Sequence, residues 1–263
     1  MADHNELLME LKLLEGELQD EEAADPLDLL ELEPGQPESA EALQQQLDRA
    51  LTLLQGDHEQ QLQALKLFCE HRDPRALPLL LPLLASSCPI LRMSTVYALG
   101  RNPHAEALPL LQQLFTEDSN GFVRKALAWT LGNYDHPSVL PALLRALEGD
   151  SAAVRLWASS SLADLCLAQG EPADQGPVVE QLLLSLRIDA EAAVRSNCAW
   201  GLGRLHGSMA AAEGLLLEEG LLHALLHDPD PGVRQDARNA LEELDDPELV
   251  ERLQTLVEEG LLG

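Results

Sequence analysis

The sequence predicts an all-α protein, a right-handed α-α superhelix of about six stacked helix pairs, and three observations carry that prediction. The chain is 46% apolar but only 3% aromatic. Leucine and alanine, both strong helix formers, supply the apolar count, and the β-branched and aromatic residues that strands favour are sparse. A short pattern, an apolar residue and arginine followed by Leu-Gly, recurs along the chain. An apolar stretch opened by a turn residue and proline precedes several of the copies.

The first pair is read in residues 39–55, around Leu43, Leu47, Leu51 and Leu54, and 58–70, around Leu62, Leu65 and Leu67. Its signature is worn. The clear copies follow: Ile90-Leu91-Arg92 to Ala98-Leu99-Gly100, Val123-Arg124 to Leu131-Gly132, and Val194-Arg195 to Leu202-Gly203, with glycine eight residues after arginine in each. Val154-Arg155 to Leu162-Ala163 and Val233-Arg234 to Leu241-Glu242 keep the frame without the glycine. The arginines stand 32, 31, 40 and 39 residues apart. A unit of the shorter length holds two short helices and two turns, and the longer gaps leave room for insertions near 168–177 and 206–214. In the second helix Val123, Leu127 and Leu131 fall at i, i+4 and i+8, one face of a helix. Such a pair cannot bury that face alone, so copies must stack.

The first helix of the unit recurs too. Asp73-Pro74, His136-Pro137 and Asp246-Pro247 each precede an apolar run, as expected when aspartate caps a helix and proline occupies its first turn. Pro78, Pro109 and Pro141 fall at matching places inside it. Asp118, Asp150, Asp189 and Asp228 then precede Arg124, Arg155, Arg195 and Arg234 by five or six residues. These aspartates and arginines are expected to form a structural ladder from one unit to the next.

This spacing of Pro, Asp, Val-Arg and Leu-Gly resembles the HEAT repeat, in the short variety named after the phycobilisome lyases, over roughly residues 39–255. The resemblance implies a HEAT/armadillo-like solenoid over 39–258, with the second helices on its concave side.

Charge divides the chain. The net formal charge is −28, and −13 of it lies in residues 1–41, where fourteen acidic residues face Lys12 alone. Such a chain cannot neutralise phosphates, which excludes nucleic acid as partner, and an anionic membrane surface would repel it. No segment has the length and apolarity of a membrane span. Residues 1–38 form a separate acidic, leucine-bearing segment. Leu7, Leu11, Leu14 and Leu18 fall at i, i+4, i+7 and i+11, and Leu29 and Leu30 sit in a second acidic run between Pro26 and Pro34. The segment reads either as a partly disordered solvated tail or as a docking motif for a partner or for the solenoid's own groove.

Chemistry-bearing motifs are few. Cys69, Cys88, Cys166 and Cys198 have no metal or disulfide spacing, which fits a reduced cytoplasmic protein. His223 and His227, four apart on a helix, are the weak candidates for a metal, with surface histidines the plainer reading. The deoxyhypusine hydroxylases resemble this architecture and hold two irons with paired His-Glu motifs, but His58-Glu59 is the single such pair here. No catalytic residue is expected, and no intrinsic cofactor. The aromatics are more informative. Tyr97, Trp129 and Trp200 stand five residues past their arginines, and Trp157 lies one turn earlier on the same face. They read either as packing between repeats or as an aromatic stripe in the concave groove.

Two functional classes remain. The acidic leader, Phe68-Cys69-Glu70, Asp73-Pro74-Arg75-Ala76, Ala128-Trp129-Thr130-Leu131-Gly132, Val154-Arg155-Leu156-Trp157-Ala158 and Ser196-Asn197-Cys198-Ala199-Trp200 are similar to the cyanobacterial HEAT-repeat proteins that pair with the A-type iron–sulfur carrier IscA. That resemblance implies a non-catalytic adaptor, with any iron–sulfur cluster shared at the partner interface. The repeat type also resembles subunits of the E/F-type phycobilin lyases, which would imply a bilin and a phycobiliprotein or lyase partner.

Overall fold

The computed structural model describes residues 39–169, 175–209, 211–244 and 247–258. The candidate docking residues Leu7, Leu11, Leu14, Leu18, Leu29 and Leu30 lie outside them. Every regular element among the described residues is helical, as the leucine and alanine content requires. The chain divides into two compact units at Tyr134–Asp135.

In the first unit, Ser39 opens α1 (Ala40–Leu53) by accepting the Ala42 amide at 3.1 Å. Asp57 opens α2 (His58–Glu70) with a reciprocal capping box to Gln60, which fixes the start of the helix at the residue the sequence places first. Asp73 caps a 3-10 turn (Pro74–Ala76), α3 is one short turn (Leu77–Leu80), and a second 3-10 turn (Leu81–Ala85) follows. Then come α4 (Pro89–Arg101), α5 (Leu108–Glu117) and α6 (Gly121–Gly132). The second unit holds a 3-10 turn (Pro137–Val139), α7 (Leu140–Gly149), α8 (Ala152–Gln169), α9 (Gln175–Ile188), α10 (Ala192–His206), α11 (Ala211–His227), α12 (Pro231–Glu243) and α13 (Pro247–Glu258). These elements make six helix pairs and a closing helix.

Pro78, Pro109 and Pro141 fall at matching places inside the first helices, each in the first α-helical turn. Proline has no amide to give to the ladder of hydrogen bonds and tolerates only that turn, so the segment before it closes as a 3-10 or irregular turn. Pro82 then repeats the interruption in the second pair.

Within each unit the second helices stack directly on one another: α2, α4 and α6 in the first, α8, α10 and α12 in the second. One core stripe explains this. Leu91, Thr95 and Leu99; Val123, Leu127 and Leu131; Val154, Ala158 and Leu162; Val194, Cys198 and Leu202; and Val233, Ala237 and Leu241 each occupy i, i+4 and i+8, and all are buried. Each fully buried leucine or valine contributes about 1.5–3 kcal/mol. The signature glycines set the approach of neighbouring second helices. A Cβ at Gly100 would come within 2.6 Å of the Trp129 indole and 2.8 Å of the Thr130 hydroxyl. One at Gly203 would come within 2.8 Å of Ala240.

Candidate functional site

The aspartates and arginines join adjacent pairs with one repeated geometry. Arg92 grips the Asp118 carboxylate through Nε and Nη2 at 2.7 and 2.9 Å. Arg155 grips Asp189 at 2.7 and 2.8 Å, and Arg195 grips Asp228 at 2.8 and 2.9 Å. The third nitrogen, Nη1, turns back to a carbonyl of the arginine's own repeat: Asp118 for Arg124, Asp150 for Arg155, Asp189 for Arg195 and Asp228 for Arg234. Each aspartate therefore offers its carbonyl to the arginine that follows it. In these three pairs its carboxylate goes to the arginine of the repeat before. The bidentate fork is a geometry that arginine provides and lysine cannot. Burial opposes the charge on Asp189 and Asp228, but hydrogen bonds from Arg155 and Arg195 and from the amides of Glu191 and Asp230 outweigh it. Both carboxyls are held below the usual carboxylate range.

The aromatic residues lie on the second-helix layer of both units. In the first, the Tyr97 and Trp129 rings are 5.4 Å apart and tilted by 51°, and the Arg101 guanidinium stands 5.6 Å from the Trp129 ring. Arg101 also donates to the Cys69 carbonyl, which fixes it beside the indole. In the second unit Trp200 is 42% exposed, with the Arg204 guanidinium 4.5 Å from its ring centroid. Arg204 is itself paired with Asp164 of α8. Trp157 is half-buried one turn before Ser160, whose hydroxyl receives the Asn197 side-chain amide. Asn197 also donates to the Leu156 carbonyl, so α8 and α10 are tied together beneath Trp200. Guanidinium over indole is an attractive contact, and tryptophan with arginine is the composition of interface anchors.

Cys198 is the middle residue of its core stripe and is fully buried. Burial, helped by the nearby Asp189 charge, pushes its thiol up to about 12. Cys69 is pushed up to about 12 as well, again mainly by burial. A thiol so raised is a weak nucleophile at neutral pH, since attack requires the thiolate.

His223 and His227 are exposed and stack edge to face, 4.9 Å between centroids. Among the described residues no group of three or more His, Cys, Asp or Glu is arranged to hold a metal ion. The two histidines instead line a groove of about 690 Å³ between α9 and α11. Its walls include Leu184, Ile188 and Leu216, which are 48%, 67% and 58% exposed. Sequence reasoning missed this groove. The signal was present in Leu182-Leu183-Leu184 and Leu215-Leu216-Leu217, since three consecutive leucines cannot all face one side of a helix.

Among the described residues no helix is long and apolar enough to cross a membrane. No curated protein matches the chain. Among solved structures, human deoxyhypusine hydroxylase in complex with glycerol aligns over 82% of this chain and 91% of its own, with 18% identity and a TM-score of 0.41. The family model of the PBS lyase HEAT-like repeat matches residues 123–149, and that of HEAT repeats matches 45–131 and 176–260. With the stacked helix pairs and their shared signature, these matches establish that the chain belongs to the HEAT-repeat family.

Proposed function

We propose that this chain is a non-catalytic protein-binding scaffold that seats its partner on the second-helix faces bearing Tyr97 and Trp129 in one unit and Trp157 and Trp200 in the other. The observation that carries the reading is Trp200. A tryptophan left 42% exposed, with a guanidinium held over its ring by an ion pair, presents a large rigid contact surface at little further entropic cost. In its finer form the proposal takes the partner to be an A-type iron–sulfur carrier of the IscA kind in a cyanobacterial cytoplasm. Any cluster would be held by the partner or shared at the interface; the described residues bring no three His, Cys, Asp or Glu together that could hold a metal.

A second reading, a subunit of an E/F-type phycobilin lyase, is favoured by the match of residues 123–149 to the PBS lyase HEAT-like repeat. Purification from a cyanobacterial host separates the two. A co-purifying iron–sulfur carrier supports the adaptor; a red-absorbing bilin or a phycobiliprotein supports the lyase. The surface is tested by Trp129→Ala with Trp200→Ala. Loss of a central anchor costs about 2 kcal/mol or more, roughly 30-fold in affinity. A folded double variant that binds its partner as tightly as the parent would refute the assignment of this face.

A further inference from the structure

The groove between α9 and α11 lies within the second unit, and neither Trp157 nor Trp200 lines it. Of the six large apolar side chains that stand exposed among the described residues, four gather here: Leu184 and Ile188 on α9, Leu216 on α11, and Leu215 beside it. Single exposed leucines are ordinary, but a contiguous apolar patch marks an interaction site. Gly220 lets the two walls approach, since a Cβ there would run into the Leu183 side chain. The ionic groups of the groove fall into two sets. Asp189 and Asp228 are gripped by Arg155 and Arg195 and belong to the ladder. Glu219 and Arg187 remain, one on each wall, so the walls are balanced and the surroundings decide the preference. Those surroundings are acidic. Glu180 is exposed one turn before Leu184 on the same face of α9. Glu191 and Asp230 follow the groove-lining Asp189 and Asp228 by two residues. The second unit as a whole carries 23 Asp and Glu against eight Lys and Arg.

We propose that this groove binds a helix of a partner protein, one with an apolar stripe flanked by lysines and arginines. Three features define that occupant. Both walls are helices whose amides and carbonyls bond within themselves, so the groove has no edge to which an extended strand could add. The occupant must satisfy its own backbone, as a helix does. From Leu216 to His227 the α11 wall rises about 16 Å, the length of three turns of a docked helix. Leu184, Ile188 and Leu216 take the apolar stripe, while Glu180, Glu219 and the acidic surroundings take the basic flanks. The same charges turn other occupants away. A second copy of this chain, its own acidic residues 1–38 and an anionic bilayer would all meet like charge. Arg187 is the exception, and it marks the one place where the partner helix carries a neutral or acidic residue. The groove gives the scaffold a second seat, distinct from the aromatic faces.

The probe is a fluorescein-labelled peptide of leucine and lysine with its leucines at i, i+4, i+7 and i+11, titrated with the full-length protein and read by anisotropy. Two companions set the background: a shuffled peptide of the same composition, and the same leucine pattern with glutamate in place of lysine. The expected result is an affinity for the amphipathic lysine peptide about ten-fold above both companions. Leu184→Asn with Leu216→Asn should weaken it about ten-fold and Glu219→Lys about three-fold, whereas Arg187→Glu should tighten it. Leu110→Asn, at an exposed leucine of the first unit, should leave it unchanged. All the replaced side chains are exposed, so the variants should fold; circular dichroism checks this. With the peptide bound to the parent, amide exchange should slow in Gln175–Ile188 and Ala211–His227 and stay unchanged in Gly121–Gly132. Groove variants that bind as tightly as the parent would overturn the proposal, because the peptide would then sit on acidic residues elsewhere. Equal binding of the shuffled peptide would overturn it as attraction by charge alone, and tighter binding of the glutamate peptide would reverse the partner's charge. A parent dimer that the leucine variant dissociates would overturn it too, because the occupant would then be a second copy.

Discussion

The two ion pairs on α10 allow burial to be tested with chemistry held constant. Arg195 and Asp228 have side chains 9% and 6% exposed, while Arg204 and Asp164 are 36% and 51% exposed. Asp228→Ala removes a carboxylate that accepts two guanidinium hydrogen bonds and the Asp230 amide. It leaves Arg195 buried, with only the Asp189 and Ala190 carbonyls on Nη1. Breaking a buried pair from one side costs about 3–5 kcal/mol. Asp164→Ala breaks a pair that water can replace and costs about 0–1 kcal/mol. Against a total stability of about 5–15 kcal/mol, the first should be plain in urea denaturation and the second barely visible. Because a repeat stack can open locally, amide exchange should place the loss in α11 and α12. If Asp228→Ala costs no more than Asp164→Ala, the ladder is not what joins these pairs, and the reasoning fails.

Three further outcomes follow from the same geometry. Asp189 and Asp228 are held below the ordinary carboxylate range of about 3.9, so their contribution is complete above that value and lost as pH falls through their lower native values. The deficit of Asp228→Asn relative to the parent should therefore shrink between pH 7 and acid, measured by thermal unfolding. Gly100→Ala should cost about 1–3 kcal/mol through overpacking against Trp129 and Thr130, whereas Gly149→Ala, with nothing within 4 Å, should be neutral or slightly stabilising in the same melt. Cys198, buried and with its thiol raised to about 12, should resist a thiol-disulfide reagent at pH 8 until urea opens the second unit.

The helical architecture was legible because its cause is periodic. Val123, Leu127 and Leu131 repeat at the pitch of a helix, and the arginine-to-glycine interval recurs because close stacking demands it at Gly100 and Gly203. The ladder could be anticipated as a relation between aspartate and arginine. Its partition could not, since only three dimensions show that the carbonyl serves the arginine following in the chain while the carboxylate serves the one before. The break in the second pair was not anticipated, although Pro78 and Pro82 stand four residues apart there. The α9–α11 groove escaped notice because leucine-rich runs read as core unless each residue's face is counted.

The double use of each aspartate has a consequence for how such a chain can grow. A block copied from one aspartate to the next carries a complete socket and a complete plug, so duplication adds a repeat without stranding a charge. A block that is not a whole period long leaves an arginine without its carboxylate, or a carboxylate without its arginine. Arg234 keeps half of this arrangement: its Nη1 returns to the Asp228 and Pro229 carbonyls, and among the described residues no carboxylate takes its fork.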